Sequence, residues 1–196
     1  MAVFVLIMVL LSGAYWQDFF HAAETMAATK TQVFARHEYW RAWTTLFVHA
    51  DGRHLISNSF LFFILGSLLA AYFGVFLVPF MALLFGGLTN LYVLSGMPGE
   101  VLLIGASGMV FWMGGAWLTL YLLLERRRSL LQRFLRAFGV GLVLFMPAEA
   151  FDPTISYSSH GVGFISGVGW GLVYFLVKRK PLRQAEVFEI EEPEEN

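Results

Sequence analysis

Two residues whose side chains can together perform nucleophilic catalysis lie inside apolar segments of this chain. Ser107 stands within 105–108, a glycine-flanked stretch near the start of an apolar run over 101–124. His160 lies at the same shallow position in a second apolar run. An ionisable residue inside a membrane span is energetically costly, so it indicates a functional site. Because a serine hydroxyl and an imidazole base are the minimum equipment for acyl transfer, the pair predicts that chemistry within a membrane.

The composition is that of a membrane protein. Of the 196 residues, 58% are hydrophobic and 14% are charged, against about 45–50% and about 25% in soluble domains. The absence of cysteine excludes disulfides, thiolate metal sites and a cysteine nucleophile. The five histidines form no HExxH pattern. We expect no metal and no cofactor. The net charge of −1 says nothing by itself about nucleic acid, and we expect no nucleic-acid partner.

Six apolar stretches approach the length of about 20 residues that a spanning helix needs. They cover 2–16, 54–73, 75–95, 102–124, 134–151 and 157–177. The predicted fold is therefore all-α, a polytopic membrane protein with six transmembrane helices. No Lys or Arg precedes the first stretch, which favours an uncleaved span over a signal peptide. We predict a core over 1–180 with a first loop at 17–53, followed by an acidic, disordered tail at 181–196.

Basic residues predict the direction of the spans. Two clusters predict cytoplasmic segments by the positive-inside rule. They contain Arg126, Arg127, Arg128, Arg133 and Arg136 after the fourth span, and Lys178, Arg179, Lys180 and Arg183 after the sixth. Both termini are then cytoplasmic and loop 17–53 is outside, although that loop carries four basic residues and fits the rule poorly.

This direction predicts that polar residues of three spans share one depth. Spans two, four and six then all run from outside to inside, with His54 and Asn58, Ser107, and His160 near their outer ends. At 1.5 Å per residue, Ser107 and His160 are expected on the order of 10 Å below the outer surface.

Each of these residues has a predicted role in acyl transfer. Serine needs a base within hydrogen-bond reach, and His160 is the only histidine in the last four spans. The tetrahedral intermediate needs donors directed at its oxyanion. The Ser107 amide, at the start of a helix, is one candidate donor. His54 and Asn58, four residues apart on one helical face, supply two more.

Glycines predict how the two catalytic side chains approach one another. Gly163, Gly167 and Gly171 recur every four residues along the sixth span, and small residues at that spacing let membrane helices pack closely. We expect them to face Gly105, Gly108 and Gly115 of the fourth span.

With these motifs, the chain resembles the rhomboid intramembrane serine proteases of the six-span bacterial type. Four motifs carry the resemblance, in the family's order and spacing. They are 105–108 for G-x-S-G, 160–167 for H-x-x-G-x-x-x-G, 54–58 for H-x-x-x-N, and 38–41 for E-x-W-R. His49 falls where members often have another histidine.

The resemblance implies a bacterial inner (cell) membrane protease in which Ser107 is the nucleophile, His160 the general base, and His54 and Asn58 oxyanion donors. It also implies that the first loop is a structured lateral element. One position departs from the family: Phe111 replaces the usual tyrosine four residues after the serine, keeping the stacking ring and losing the hydroxyl.

Other functions compete with proteolysis. A GxSG sequence by itself is most often a packing surface. A catalytically inactive relative that binds membrane clients predicts loss of the serine or histidine, and neither is lost. A small transporter predicts a mid-span polar path and inverted repeats, which are not evident. For a protease, the expected partners are membrane lipid and transmembrane protein substrates with helix-weakening residues near the outer end of the span.

Overall fold

A computed structural model describes residues 1–145 and 156–184, which form a bundle of helices. The described residues contain no β-strand, only an isolated bridge between Ala28 and Leu103. The α-helices are α1 (Ala2–Trp16), α2 (Ala22–Met26), α3 (Arg41–Thr44), α4 (Gly52–Phe73), α5 (Ala82–Gly96), α6 (Ser107–Leu124), α7 (Leu130–Phe145) and α8 (Tyr157–Gln184). The predicted all-helical class is confirmed for this part of the chain.

Within the described residues, four helical segments are long and apolar enough to cross a membrane. They are Gly52–Phe73, Leu77–Gly96, Ser107–Leu124 and Tyr157–Leu182. A fifth results if α1 and the segment Phe19–Met26, bent by 115° to one another, count as one span. These helices make the chain an integral membrane protein.

The predicted count of six spans is larger than the count in the described residues. α1 has the bounds predicted for the first span. The predicted fifth span at 134–151 corresponds to α7 as far as Phe145, and its remainder lies outside the described residues. The predicted acidic tail at 181–196 also lies outside them after Gln184, and α8 includes its first four residues.

The centre of the bundle is α6. Its Met109, Trp112, Met113 and Leu120 are fully buried, and the helix packs against α4, α5, α7 and α8. In contrast, α8 has exposed apolar side chains such as Val173. In a membrane, apolar side chains are stable on the lipid-facing side of a helix as well as on its interior side. Close packing, rather than polarity, therefore distinguishes the interior side. The functional candidates on α6 therefore lie on the most enclosed helix of the described bundle.

The first loop is folded onto the bundle. The buried guanidinium of Arg41 pairs with Glu38 and donates to the carbonyl oxygens of Glu24 (2.7 Å) and Ala27 (3.0 Å). Asn90 of α5 donates to the carbonyl of Ala42 at 2.9 Å. Charge-assisted bonds of this kind hold irregular backbone in place where no regular ladder does. The loop therefore forms a fixed lateral element beside α5.

The fourth predicted span differs from the structure at its start. The apolar run begins near residue 101, yet the helix begins at Ser107 and the preceding residues are extended. Gly105 has a φ of 110°, a conformation that favours glycine and ends any continuous helix there. Hydropathy cannot detect this break because the extended residues are as apolar as the helix.

Candidate active site

The α6 and α8 backbones touch beside the two predicted catalytic residues. A Cβ atom added to Gly163 would overlap the carbonyl oxygen of Gly108 and lie 3.1 Å from its carbonyl carbon. A Cβ atom on Gly108 would lie 3.6 Å from the Ser159 carbonyl oxygen. Ser107 precedes Gly108 and His160 follows Ser159, so the contact brings these two residues onto neighbouring turns of adjacent helices.

The contact between α6 and α8 continues at the later small residues of α8. A Cβ on Gly167 would overlap the Trp112 carbonyl oxygen, and one on Gly171 would lie 3.0 Å from Thr119 Cβ. Gly115 lies against the Phe164 carbonyl in the same way. The predicted packing of Gly163, Gly167 and Gly171 against the fourth span is therefore observed.

Gly105 departs from the predicted packing. It lies before α6 and does not face α8; a Cβ there would be 2.5 Å from His54 Cε1. Since its φ of 110° is also unfavourable for other residues, this position needs glycine on two grounds. Gly105 thus allows the His54 ring of α4 to approach the segment that leads into Ser107.

The ring of His160 stacks on Phe111. The ring centroids are 4.0 Å apart and the planes differ by 10°. Phe111 lies four residues after Ser107 and hence on the same face of α6. Both Ser107 and His160 are partly buried. In the described part of the chain, Ser107 Oγ and the His160 ring make no hydrogen bond to one another, and such bonds often tighten only when substrate binds.

The two other predicted oxyanion residues lie in the first two turns of α4. Asn58 is 5% exposed, and its Nδ2 donates to the His54 carbonyl oxygen at 3.0 Å. An amide nitrogen carries two hydrogens, so Asn58 retains one further donor. Asp51 caps the helix by accepting from the His54 amide at 2.9 Å. The start of α4 is thereby fixed, and the orientation of His54 with it.

The first loop holds the extended segment before Ser107. Ala28 and Leu103 exchange two backbone hydrogen bonds, of 3.3 and 2.8 Å. The amide of Gly105 donates to the Thr45 carbonyl at 3.0 Å, and Thr45 Oγ1 donates to the Leu103 carbonyl at 2.6 Å. Buried backbone groups require partners, and here the loop provides them. The position of the serine therefore depends on a loop that lies more than 50 residues earlier in the chain.

His49 has polar contacts at both of its ring nitrogens near the site. It is fully buried, and its Nε2 accepts from the amide of Ala106 at 3.4 Å. Its Nδ1 lies 3.1 Å from Ser12 Oγ of α1, which donates to the Phe47 carbonyl at 3.3 Å. Because Nε2 accepts, we assign the proton to Nδ1. Burial, and next the nearby His54, lower the pKa of His49 to about 3, so the ring is neutral.

Sequence reasoning placed His49 at a family position but gave it no role, and it did not single out Ser12 or Thr45. Ser12 is a hydroxyl inside an otherwise apolar helix, which was the available signal. Its partner 37 residues later cannot be deduced from spacing. Among the described residues, no group of three or more His, Asp or Glu side chains is arranged to hold a metal ion.

Comparison with known proteins places the chain in a family. A family model described as the rhomboid domain matches residues 36–177, most of the chain and all the residues of the candidate site except Ser12 and Ala28. The chain belongs to the rhomboid family. A comparison with curated proteins finds no match.

Proposed function

We propose that this protein is an intramembrane serine endopeptidase with a Ser107–His160 dyad, which cleaves transmembrane segments near the outer face. The observation that carries the proposal is the backbone contact of Gly108 with Gly163, beside which both residues lie, with Phe111 stacked on His160. Rhomboid proteins are usually intramembrane serine proteases, which supports the same chemistry.

The proposed reaction follows the general course of nucleophilic catalysis. Ser107 Oγ attacks the scissile carbonyl carbon as the His160 ring takes its proton, which gives a tetrahedral oxyanion. The carbon–nitrogen bond then breaks, and the protonated His160 gives its proton to the departing amine. Water, activated in turn by His160, hydrolyses the acyl-enzyme and restores Ser107.

Three donors are proposed for the oxyanion: the Ser107 amide at the start of α6, the His54 ring and the Asn58 amide group. The amide groups at a helix start have no partner within the helix, so they are available to an anion. Gly105, whose missing side chain leaves room for His54, supports the participation of that ring.

The proposed substrates are proteins with a transmembrane segment that unwinds readily near its outer end. A helical segment has its amides paired, so its scissile bond is accessible only after local unwinding, which Gly, Pro or polar residues favour. In the proposed topology the protein has six spans in a bacterial inner membrane, with both termini in the cytoplasm.

A second candidate is a rhomboid protein that binds membrane clients without cleaving them, since inactive members of the family exist. Phe111 favours this candidate, because it has no hydroxyl with which to orient His160.

Labelling with a serine-directed fluorophosphonate separates the two candidates. For a protease we expect labelling of Ser107 in the purified wild-type protein, and loss of labelling and cleavage in both Ser107→Ala and His160→Ala. The double variant is expected to be no worse than either single variant, because the pair acts as a unit. Near-normal cleavage in a folded single variant would exclude the dyad, and an unreactive wild type would favour the client-binding candidate.

A further inference from the structure

A cavity outside the candidate site lies between α6 and α7. Its volume is about 410 Å³. The lining residues are Trp117, Leu118 and Tyr121 of α6 with Arg136, Ala137 and Val140 of α7. They belong to the half of α6 remote from Ser107 and to the first half of α7. Among the described residues that line the cavity, the walls are apolar and the Arg136 guanidinium is the only charged group.

The surroundings of this cavity are strongly basic. The stretch 125–136 contains five arginines and one acidic residue, Glu125. Arg133, three residues from Arg136 and so on the same face of α7, donates from Nη1 to the Leu122 carbonyl of α6 at 2.7 Å. Its Nε is buried and has no hydrogen-bond partner among the described residues. In the described part of the chain, Arg136 makes no ion pair. Within the described residues, the cavity thus combines apolar walls with the unpaired positive charge of Arg136.

We propose that this cavity binds an anionic phospholipid, with an acyl chain between α6 and α7 and the phosphate headgroup at Arg136 and Arg133. Basic pockets between membrane helices on the cytoplasmic side attract anionic headgroups, and long arginine side chains extend along apolar surface towards the interface. A zwitterionic lipid fits the walls equally well and does not compensate the charge. The cytoplasmic side follows from the proposed topology, whereas the binding requires no protease activity.

The bound lipid stabilises the attachment of α7. Within the described residues α7 packs mainly against α6, and it does so next to the cavity. A lipid that contacts both helices binds the folded protein and not the unfolded chain, so it raises the Tm by mass action.

The test uses the full-length protein in detergent, titrated with phosphatidylglycerol or phosphatidylcholine of the same acyl chains. Binding is followed by native mass spectrometry and stability by Tm. We expect phosphatidylglycerol to bind more tightly and to raise the Tm more. Arg136→Gln should weaken phosphatidylglycerol binding about fivefold or more. Lys178→Gln, which removes the same charge from a residue of α8 that does not line the cavity, should leave the binding unchanged.

Two further arms address the acyl chain and the source of the phosphate. Val140→Trp fills the cavity and should reduce binding of phosphatidylglycerol without a loss of Tm in lipid-free detergent. Inorganic phosphate should not raise the Tm. Equal binding of the two lipids, equal losses in Arg136→Gln and Lys178→Gln, or a full effect of inorganic phosphate would each overturn the proposal. The proposal would also be overturned if a second copy of the chain, rather than lipid, covered this surface of α7.

Discussion

At the scale of single residues, the candidate site combines Ser107, the proposed nucleophile, with neighbours that fix its surroundings. Phe111 contacts His160 through its ring alone, His54 contacts Gly105, and His49 bonds to the amide immediately before Ser107. The side chains that orient the site are thus provided by α1, α4 and the first loop as well as by α6 and α8.

Asn58 is predicted to act on the transition state. Asn58→Ala removes the proposed side-chain donor, so kcat should fall by about a hundredfold. KM should change little, and fluorophosphonate labelling of Ser107 should remain measurable. Ser59→Ala is the matched control, because the Ser59 hydroxyl on the same helix is buried without a partner and has no proposed role. An unchanged kcat with a raised KM in Asn58→Ala would indicate a substrate contact instead.

His49 is predicted to make stability depend on pH. Its pKa is lowered from an ordinary value of about 6.5 to about 3 in the folded protein. Between these values the unfolded chain binds a proton at His49 and the folded protein does not, so folding stability is present above pH 6.5 and is lost as the pH falls towards 3. The loss is at most about 1.4 kcal/mol per pH unit.

The corresponding measurement compares the pH dependence of the Tm in wild type and His49→Gln. Glutamine accepts from Ala106 and donates to Ser12 but does not titrate. Acidic residues contribute equally to both proteins, so the difference between the two slopes below pH 6.5 isolates His49. Parallel slopes would show that His49 does not remain neutral in the folded protein.

At the scale of elements, the contact between α6 and α8 decides the geometry. Bulkier side chains cannot be accommodated there, because Gly163 and Gly167 face backbone atoms rather than movable side chains. The Ser107–His160 distance is therefore set by backbone contact between the two helices.

Gly163→Ala is predicted to separate the helices. Its Cβ would overlap the Gly108 carbonyl oxygen, so the backbones must shift. A shift of about 1 Å can cost on the order of a hundredfold in rate. We expect a large loss of cleavage together with a lower Tm. Gly169→Ala on the same helix is the control, since no described atom beyond its own helical turn lies within 4 Å of its Cβ position. A stable and active Gly163→Ala protein would contradict this packing.

At the scale of the whole molecule, the first loop contacts several helices. It bonds to α1 through His49. It packs on α5 through Trp43 and through backbone that Arg41 holds in place. Through Ala28 and Thr45 it holds the segment before α6. Active-site geometry and loop folding are consequently coupled. This coupling is the structural basis for expecting the His49 titration to affect both stability and the site.

The sequence by itself determined the membrane class, the bounds of α1, the C-terminal ends of α4 and α6, and the glycine face of α8. Each of these depends on local hydropathy or on a spacing within one helix, which the chain carries without reference to its fold. It also predicted Ser107, His160, His54 and Asn58 as candidates, and their roles stay predictions.

Only the tertiary structure decided what surrounds those residues. The hydrogen bonds of His49 with Ser12 and with the Ala106 amide join residues that are distant in the chain, as does the cavity between α6 and α7. The break at Gly105 is a change of backbone conformation alone. An apolar stretch has the same hydropathy whether it is helical or extended. The residues that such a stretch contacts are decided by packing between helices, and no periodic pattern in the sequence indicates which residues they are.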